Sequence, residues 1–128
     1  MGRVKSLWFV LLAIIAMASG CGNDNRLLSV QVLPVDPNIL SNNTVYVLPG
    51  ATVQYQIQGW YSNRTTQTIS TAQGKWTSTS PSIATVDSNG LATTIGPIGV
   101  TSITVEVSGH TSTTVLSVCD SGLCPPLP

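Results

Sequence analysis

The segment Thr52-Val53-Gln54-Tyr55-Gln56-Ile57-Gln58-Gly59 carries the clearest structural pattern in this chain of 128 residues. Val53, Tyr55 and Ile57 fall on one face, and the residues between them are polar. A period of two with one apolar and one polar face is typical of a strand that packs one side on a core and turns the other to water. The segment therefore predicts a half-buried β-strand.

Similar segments lie on both sides of this one. Val30 and Val32 alternate with polar neighbours until Pro34 and Pro37 end or interrupt the strand. In residues 101–107 the side chains of Ile103, Val105 and Val107 are predicted to point inward. The other predicted strands are residues 75–79, 82–86, 91–95 and 111–118, and residues 60–68 either continue the 52–59 strand or turn away from it.

The turns between these segments are also typical of β-structure. Asn89-Gly90 lies between two predicted strands and is the strongest short-range signal for a hairpin. No stretch after residue 20 shows the 3.6-residue period of a helix. Short strands spaced by turns predict one all-β domain, a β-sandwich of about seven antiparallel strands.

Four stretches carry a family resemblance. They are Tyr61-Ser62-Asn63-Arg64-Thr65, Trp76-Thr77-Ser78-Thr79-Ser80-Pro81-Ser82-Ile83-Ala84-Thr85-Val86-Asp87, Asn89-Gly90-Leu91-Ala92-Thr93 and Gly99-Val100-Thr101-Ser102-Ile103-Thr104-Val105. Together they resemble a turn, a tryptophan-containing core motif, a hairpin and a late strand of the group 2 bacterial Ig-like (Big) family. The resemblance implies an Ig-like β-sandwich over residues 27–118, with Trp76 in the core. Asn63-Arg64 stands where the family usually has Asp-Gly.

The start of the chain has the order of a secretory signal. Arg3 and Lys5 are followed by the apolar residues 7–17 and by Ala18-Ser19-Gly20-Cys21. This order resembles the lipobox of bacterial lipoproteins, which implies that residues 1–20 are a signal peptide. It also implies that Cys21 is acylated.

Two other interpretations of this leader are a transmembrane helix and an ordinary secretory signal in which Cys21 is incidental. The apolar run would span about 16 Å at ~1.5 Å per residue, less than a bilayer core of about 30 Å. In the lipoprotein interpretation residues 21–26 form a lipidated tether, and two or three acyl chains hold it stably in a membrane. Gly22 follows the cysteine where aspartate would favour inner-membrane retention in enteric bacteria, which favours the outer membrane. The periplasmic and surface faces are both open.

The charge of the chain argues against nucleic acid as a partner. Five basic residues balance five acidic ones, and Arg3 and Lys5 lie in the leader, so the remainder is weakly acidic. It offers no basic patch to neutralise phosphates. The surface must be wetted mainly by Ser, Thr, Asn and Gln, as in secreted β-proteins.

The cysteines after Cys21 predict a disulfide in a short tail. Cys119 and Cys124 lie beyond the last predicted strand, in the Cys- and Pro-containing residues 119–128. Two thiols this close in an oxidising compartment most simply pair with each other. No second Cys or His pair supplies the further ligands of a metal site, so neither a metal nor a cofactor is expected.

Few other residues are candidates for function. Trp60 and Tyr61 are adjacent and point to opposite faces of a strand, so one ring is expected to be buried. Tyr61 matches the family's aromatic, which leaves Trp60 as the possible ligand contact. His110, the single histidine, is interpreted as a solvated turn residue. The scattered acids match no catalytic motif, so an enzyme is not expected.

The sequence therefore favours a lipid-anchored, non-enzymatic Ig-like module of the bacterial cell envelope for protein contact, adhesion or a structural role. Its partners would be the membrane, through acyl chains on Cys21, and an envelope protein or glycan. The alternative is a carbohydrate-binding module that uses Trp60 and hydroxyl-rich strand faces. An accessory or inhibitor lipoprotein of a hydrolase is a third interpretation.

Overall fold

Two five-stranded sheets face each other in the computed structural model, which describes residues 25–124. One sheet has the order β1-β4-β8-β7, with β5 beside β4, and the other has the order β2-β3-β10-β9-β6. Two single-turn 3-10 helices, Pro37–Ile39 and Thr71–Gln73, precede β2 and β6. The strands are β1 Leu27–Pro34, β2 Leu40–Ser41, β3 Thr44–Val47, β4 Thr52–Tyr61, β5 Thr66–Ile69, β6 Lys75–Ser78, β7 Ala84–Val86, β8 Leu91–Thr94, β9 Gly99–Val107 and β10 His110–Val118.

The all-β, Ig-like sandwich predicted from the sequence is confirmed, with ten strands instead of about seven and one parallel pair among them. The two short strands β2 and β3 were not predicted, and β5 forms its own strand after the turn at residues 62–65. Strand β3 runs parallel to β10, from Thr44 opposite Val115 to Val47 opposite Val118. Parallel neighbours are joined only by a long connection, so this pairing leaves no local turn signal in the sequence.

The core lies between the sheets and is built from alternate residues of the long strands. Strand β4 turns the side chains of Val53, Tyr55 and Ile57 inward, and β9 turns in Ile103 and Val105, as predicted. All five are at most 2% exposed. Every second side chain of such a strand faces the core. A shift of the strand register by one residue would therefore move this whole row into water.

A group of hydroxyl side chains joins the end of β6 to β9. The Thr101 hydroxyl is buried and accepts a hydrogen bond from the Ser80 N–H at 2.9 Å. It also lies 3.0 Å from the Ser78 hydroxyl, which donates to the Ala84 carbonyl at 2.7 Å. Buried polar groups need partners, so these serines and threonines satisfy one another where the chain leaves β6 for β7.

Trp76 on β6 packs against the core and brings the two sheets together. Its ring centroid lies 6.3 Å from that of Tyr55 on the opposite sheet, and its Nε1–H donates to the Thr71 carbonyl at 2.9 Å. Gly90, in the predicted Asn-Gly hairpin, has a φ of 74°. A Cβ there would lie 2.8 Å from the Trp76 ring, so Gly90 is required both by the turn and by the packing.

The strands run between two ends of the sandwich. The tether end is defined by the start of β1, the turn at residues 62–65 and the turn at residues 108–109. The tail end is defined by the end of β1, the β3–β4 turn at residues 48–51, residues 95–98 and the loop at residues 119–124. These groupings follow from the strand register, which places Leu27 opposite Tyr61 and Gly99 opposite Val118.

Tyr55 carries a buried polar group that the described structure leaves unpaired. Its side chain is 1% exposed, and within residues 25–124 its hydroxyl is the one buried side-chain oxygen or nitrogen without a hydrogen-bond partner. Burial disfavours the phenolate, which raises the pKa of Tyr55 well above its usual value. The folded protein therefore keeps this tyrosine neutral at alkaline pH at which an unfolded chain ionises it.

We expect Tyr55→Phe to retain full stability at pH 7, because it removes a hydroxyl that makes no hydrogen bond. Above about pH 10 the unfolded wild-type chain ionises Tyr55 and the folded one does not, so stability falls as pH rises. At pH 11 the ionisation of Tyr55 in the unfolded chain should lower the free energy of unfolding of the wild type by about 1.4 kcal/mol relative to that of Tyr55→Phe. Urea unfolding of both proteins at pH 7 and pH 11 measures the difference.

Tyr46 and Tyr61 are present in both proteins and provide the internal control. Equal losses of stability at pH 11 would contradict the neutral, buried state of Tyr55.

Candidate functional site

Cys21, the predicted lipidation site, lies outside the described residues. The described chain begins beside the turn at residues 62–65, where the Arg26 carbonyl accepts from the Ser62 N–H at 2.9 Å. The Arg26 N–H donates to the Ser62 hydroxyl at 3.0 Å. These two bonds fix the point at which the preceding residues enter the sandwich, at the tether end. Across residues 25–124 no helix is long and apolar enough to span a bilayer.

Trp60, the predicted ligand contact, lies on the outer face of its sheet near the end of β4. Ser29 of β1 and Thr66 of β5 are its cross-strand neighbours. Trp60 and Tyr61 are both half-buried, rather than one buried and one exposed, because at a strand end neither face of the sheet is fully covered. The described part of the chain holds one ring–ring contact, and it joins Tyr55 to Trp76. Trp60 is therefore a single, partly accessible ring.

The hydroxyl-rich face predicted from composition is present on the other sheet. Thr77 of β6, Thr104 of β9 and Thr113 of β10 form one row across three strands. The hydroxyls of Thr104 and Thr113 lie 3.0 Å apart. Thr77 and Thr113 are exposed, and Thr104 between them is half-buried.

His110 opens β10 and is half-buried opposite Val107. Residues 25–124 contain no group of three His, Cys, Asp or Glu side chains placed to hold a metal ion. Asp87 has a structural role in its hairpin, since one carboxylate oxygen accepts from the N–H groups of Asn89 and Leu91 at 2.9 and 3.0 Å. The Asp87 carboxylate is therefore used by the hairpin turn.

Cys119 and Cys124 form a disulfide at the tail end, with 5.3 Å between their Cα atoms. Cys119 is 7% exposed, and its N–H donates to the Val47 carbonyl at 3.0 Å. Between the cysteines the chain turns on Asp120, whose carbonyl accepts from the N–H groups of Leu123 and Cys124. The bond holds Leu123, at 76% exposure, on a closed loop.

Exposed aliphatic side chains gather at this same end. Hydrogen bonds hold the segments together, since the Thr94 N–H and hydroxyl both donate to the Ala51 carbonyl, at 3.0 and 2.9 Å, and the Cys119 N–H donates to the Val47 carbonyl. Residues 95–98 also lie close to the β3–β4 turn, since a Cβ on Gly96 would be 3.9 Å from the Pro49 side chain. The exposed aliphatic residues on the loops of this end are Val35, Leu48, Ile95, Ile98 and Leu123.

A groove opens beside these residues, between the end of β1 and the β3–β4 turn. Its volume is about 480 Å³, and Val35, Ile39, Tyr46, Leu48 and Val53 are among the residues that line it. Asp36 stands at its wall and accepts from the Asn38 N–H at 2.9 Å. Exposed apolar side chains gathered at one end of a small domain are typical of contact sites for other proteins. Sequence analysis missed this site because its residues come from loops, where no periodic pattern marks them.

Comparisons with known proteins agree with the fold. The sequence matches the family described as bacterial Ig-like domain (group 2) over residues 34–116. The structure is similar to the structure of surface layer protein SbsC, domains 1-6, with a TM-score of 0.55 and 14% sequence identity. That similarity covers 76% of this chain and 15% of the other, so this chain spans a small part of the surface layer protein's length. No curated protein matches the sequence.

Removing the disulfide should loosen the tail and leave the sheets folded. A closed loop of about six residues is worth about 2 kcal/mol on the chain-entropy estimate, so Cys124→Ala should lower the free energy of unfolding by that amount. Cys119→Ala should cost about 1 kcal/mol more, because it also removes a buried group roughly the size of a methylene. Denaturant unfolding of the two variants measures the difference.

A single unfolding transition with a near wild-type slope is expected for both variants. Complete unfolding of Cys124→Ala would mean that the tail is part of the cooperative domain, and that the domain extends beyond the boundary at Val118.

Proposed function

Because this chain belongs to the group 2 bacterial Ig-like family, whose pattern it matches over residues 34–116, we propose that it is a non-enzymatic module of the bacterial cell envelope. In this proposal acyl chains on Cys21 hold it in a membrane, and its tail end contacts another protein. One observation carries the proposal. The described chain enters the sandwich at the tether end, and five of the seven exposed large aliphatic side chains of residues 25–124 lie on the loops of the opposite end.

The strand directions establish this separation. Strand β10 starts at the tether end beside the turn at residues 108–109 and runs for nine residues to Val118. At about 3.3 Å per residue this is roughly 30 Å. A membrane held by Cys21 would lie below the tether end. The tail end would therefore face away from the lipid, where a partner can reach it.

The chemistry of the tail end favours a protein as its partner. Leu48 and Ile98 are aliphatic and exposed. The disulfide closes the loop that carries Leu123, so little loop freedom is lost when a partner binds there. A preformed apolar surface with a groove is a usual protein-binding arrangement. A sugar partner would instead use Trp60, on the outer face of a sheet near the tether end. The two functions therefore depend on opposite ends of the domain.

The cell-envelope location draws support from two sources. The leader resembles a lipoprotein signal, and the structural neighbour is a surface layer protein. An Ig-like module in such a place serves contact or structure, which agrees with a binding role rather than catalysis. Gly22 rather than aspartate follows Cys21, which by the rule for enteric bacteria favours the outer membrane as the site of attachment.

Labelling tests the anchor. Cells that express the full chain are grown with an alkyne-bearing fatty acid. The protein in their membrane fraction should then carry the label. Cys21→Ser should lose the label and stay as an uncleaved or soluble protein, because the acylated sulfur is gone. A wild-type protein that takes up no fatty acid would overturn the anchor.

Capture with tail-end variants tests the contact surface. Leu48→Ser and Leu123→Ser should each reduce capture of an envelope protein by the full chain at least fivefold, since each removes an exposed apolar contact. Leu28→Ser is the matched control, because Leu28 is 54% exposed, close to the 47% of Leu48, and lies at the tether end. Equal capture by all three variants would contradict a role for the tail end.

A further inference from the structure

Most edges of the two sheets are protected in ways that hinder pairing with other strands. On the edge strand β1, the Val32 N–H donates to the Ser112 hydroxyl of the opposite sheet at 3.0 Å. The edges of β6 and β7 meet, and the Ser78 hydroxyl donates to the Ala84 carbonyl. Strand β2 has only two residues. Such devices are how natural proteins keep edge strands from associating.

Strand β5 has no such cover. It pairs with β4 along one edge, from Thr66 opposite Trp60 to Ile69 opposite Ile57. No strand in residues 25–124 pairs with its other edge. Its sequence is Thr-Gln-Thr-Ile, with no charge, proline or glycine, and its first three residues are exposed. An uncharged, open strand edge is a template for pairing with another strand.

The register identifies the groups on this open edge. The Tyr61 N–H donates to the Thr65 carbonyl at 3.0 Å, so these two residues occupy a hydrogen-bonded position of the ladder, and the Thr65 N–H donates to Asn63 Oδ1 in the turn. Hydrogen-bonded and non-hydrogen-bonded pairs alternate along an antiparallel ladder. Gln67 and Ile69 therefore bond to β4, whereas Thr66 and Thr68 direct their N–H and C=O groups outward.

We propose that β5 pairs with β5 of a second copy of this chain. The two strands run antiparallel, and a two-fold axis at Gln67 relates the two copies. In this register Thr66 of each copy forms a hydrogen-bonded pair with Thr68 of the other. Four backbone hydrogen bonds form, and the facing threonine side chains add favourable cross-strand contacts. The edge is self-complementary, as a two-fold interface requires. The two sheets then join into one continuous sheet.

The size of this contact determines where it operates. Four residues on each side bury too little surface for a stable dimer in dilute solution. Attachment of both copies to one membrane raises their effective concentration and favours pairing. The inference rests on the proposed function only for this concentration, and the pairing geometry is independent of the anchor.

Cysteine cross-linking of the full chain in the bacterial envelope tests the pairing. Across the two-fold axis Gln67 faces its counterpart as a non-hydrogen-bonded pair, with Cα atoms about 4.5 Å apart, which is within disulfide range. Gln67→Cys should give at least five times more disulfide-linked dimer on a non-reducing gel than the wild type after mild oxidation. The wild type controls for dimers through its own cysteines. Thr77→Cys, exposed on the outer face of the other sheet, should match the wild type.

Blocking the edge should abolish the cross-link. Thr68→Pro, added to Gln67→Cys, removes an outward N–H and leaves the bonds to β4, a position where edge strands accept proline. We expect at least a fivefold loss of dimer, and no loss for Thr68→Ala. A second experiment avoids proline. Thr66→Cys and Thr68→Cys chains expressed in the same cells should cross-link to each other, and either chain expressed alone should give at least fivefold less disulfide-linked dimer.

Two results overturn the pairing. One is a Thr77→Cys variant that gives as much dimer as Gln67→Cys. The other is the absence of a cross-link between the Thr66→Cys and Thr68→Cys chains. A chain that carries the fatty-acid label and gives no Gln67→Cys dimer also overturns it and leaves the proposed function intact. If the chain takes up no fatty-acid label but the purified, concentrated protein cross-links through Gln67→Cys, the result overturns the anchor and supports the pairing.

Discussion

The indole ring of Trp76 lies where the two sheets meet, and the backbone on either side of it is shaped to fit. The ring belongs to β6 and packs toward Tyr55 of the other sheet. Two glycines make room for it, since a Cβ on Gly90 would meet the ring carbons and a Cβ on Gly74 would lie 3.1 Å from its Nε1. The hairpin between β7 and β8 and the turn before β6 are thus held at fixed positions around one side chain. The alternating inward rows of β4 and β9 set the register of these strands, and the ring packs against them from β6.

Much of this architecture could be predicted from the sequence. Alternation along residues 52–59 and 101–107 correctly identified the inward rows of β4 and β9, since one buried face leaves a period of two. The Asn89-Gly90 hairpin was also predicted correctly, because its turn requires a glycine. Strand β3 was missed although Val45 and Val47 alternate with polar or half-buried residues. Its four residues depend on a partner about seventy positions away, and local pattern carries no information on such a pairing.

The candidate site was harder to predict than the fold. The tail end gathers Leu48, Ile98 and Leu123 from three separate loops, and nothing in their local sequence says that they lie together. Trp60 was identified as a possible exposed ring from its place beside Tyr61, yet both rings are half-buried at the end of β4. The open edge of β5 depends on hydrogen-bond register, which the sequence does not show. Positions that depend on tertiary contacts are the ones that sequence patterns leave undetermined.

The parallel pairing of β3 with β10 bears on how the domain carries mechanical load. A pull between the tether end and the tail end acts along these strands, while their hydrogen bonds lie mainly across them. The four register positions from Thr44–Val115 to Val47–Val118 would therefore be loaded in shear and share the force. Bonds loaded in this way must break together rather than one after another. A force along these two strands would thus be shared by the four positions, and β3 and β10 would resist sliding past each other.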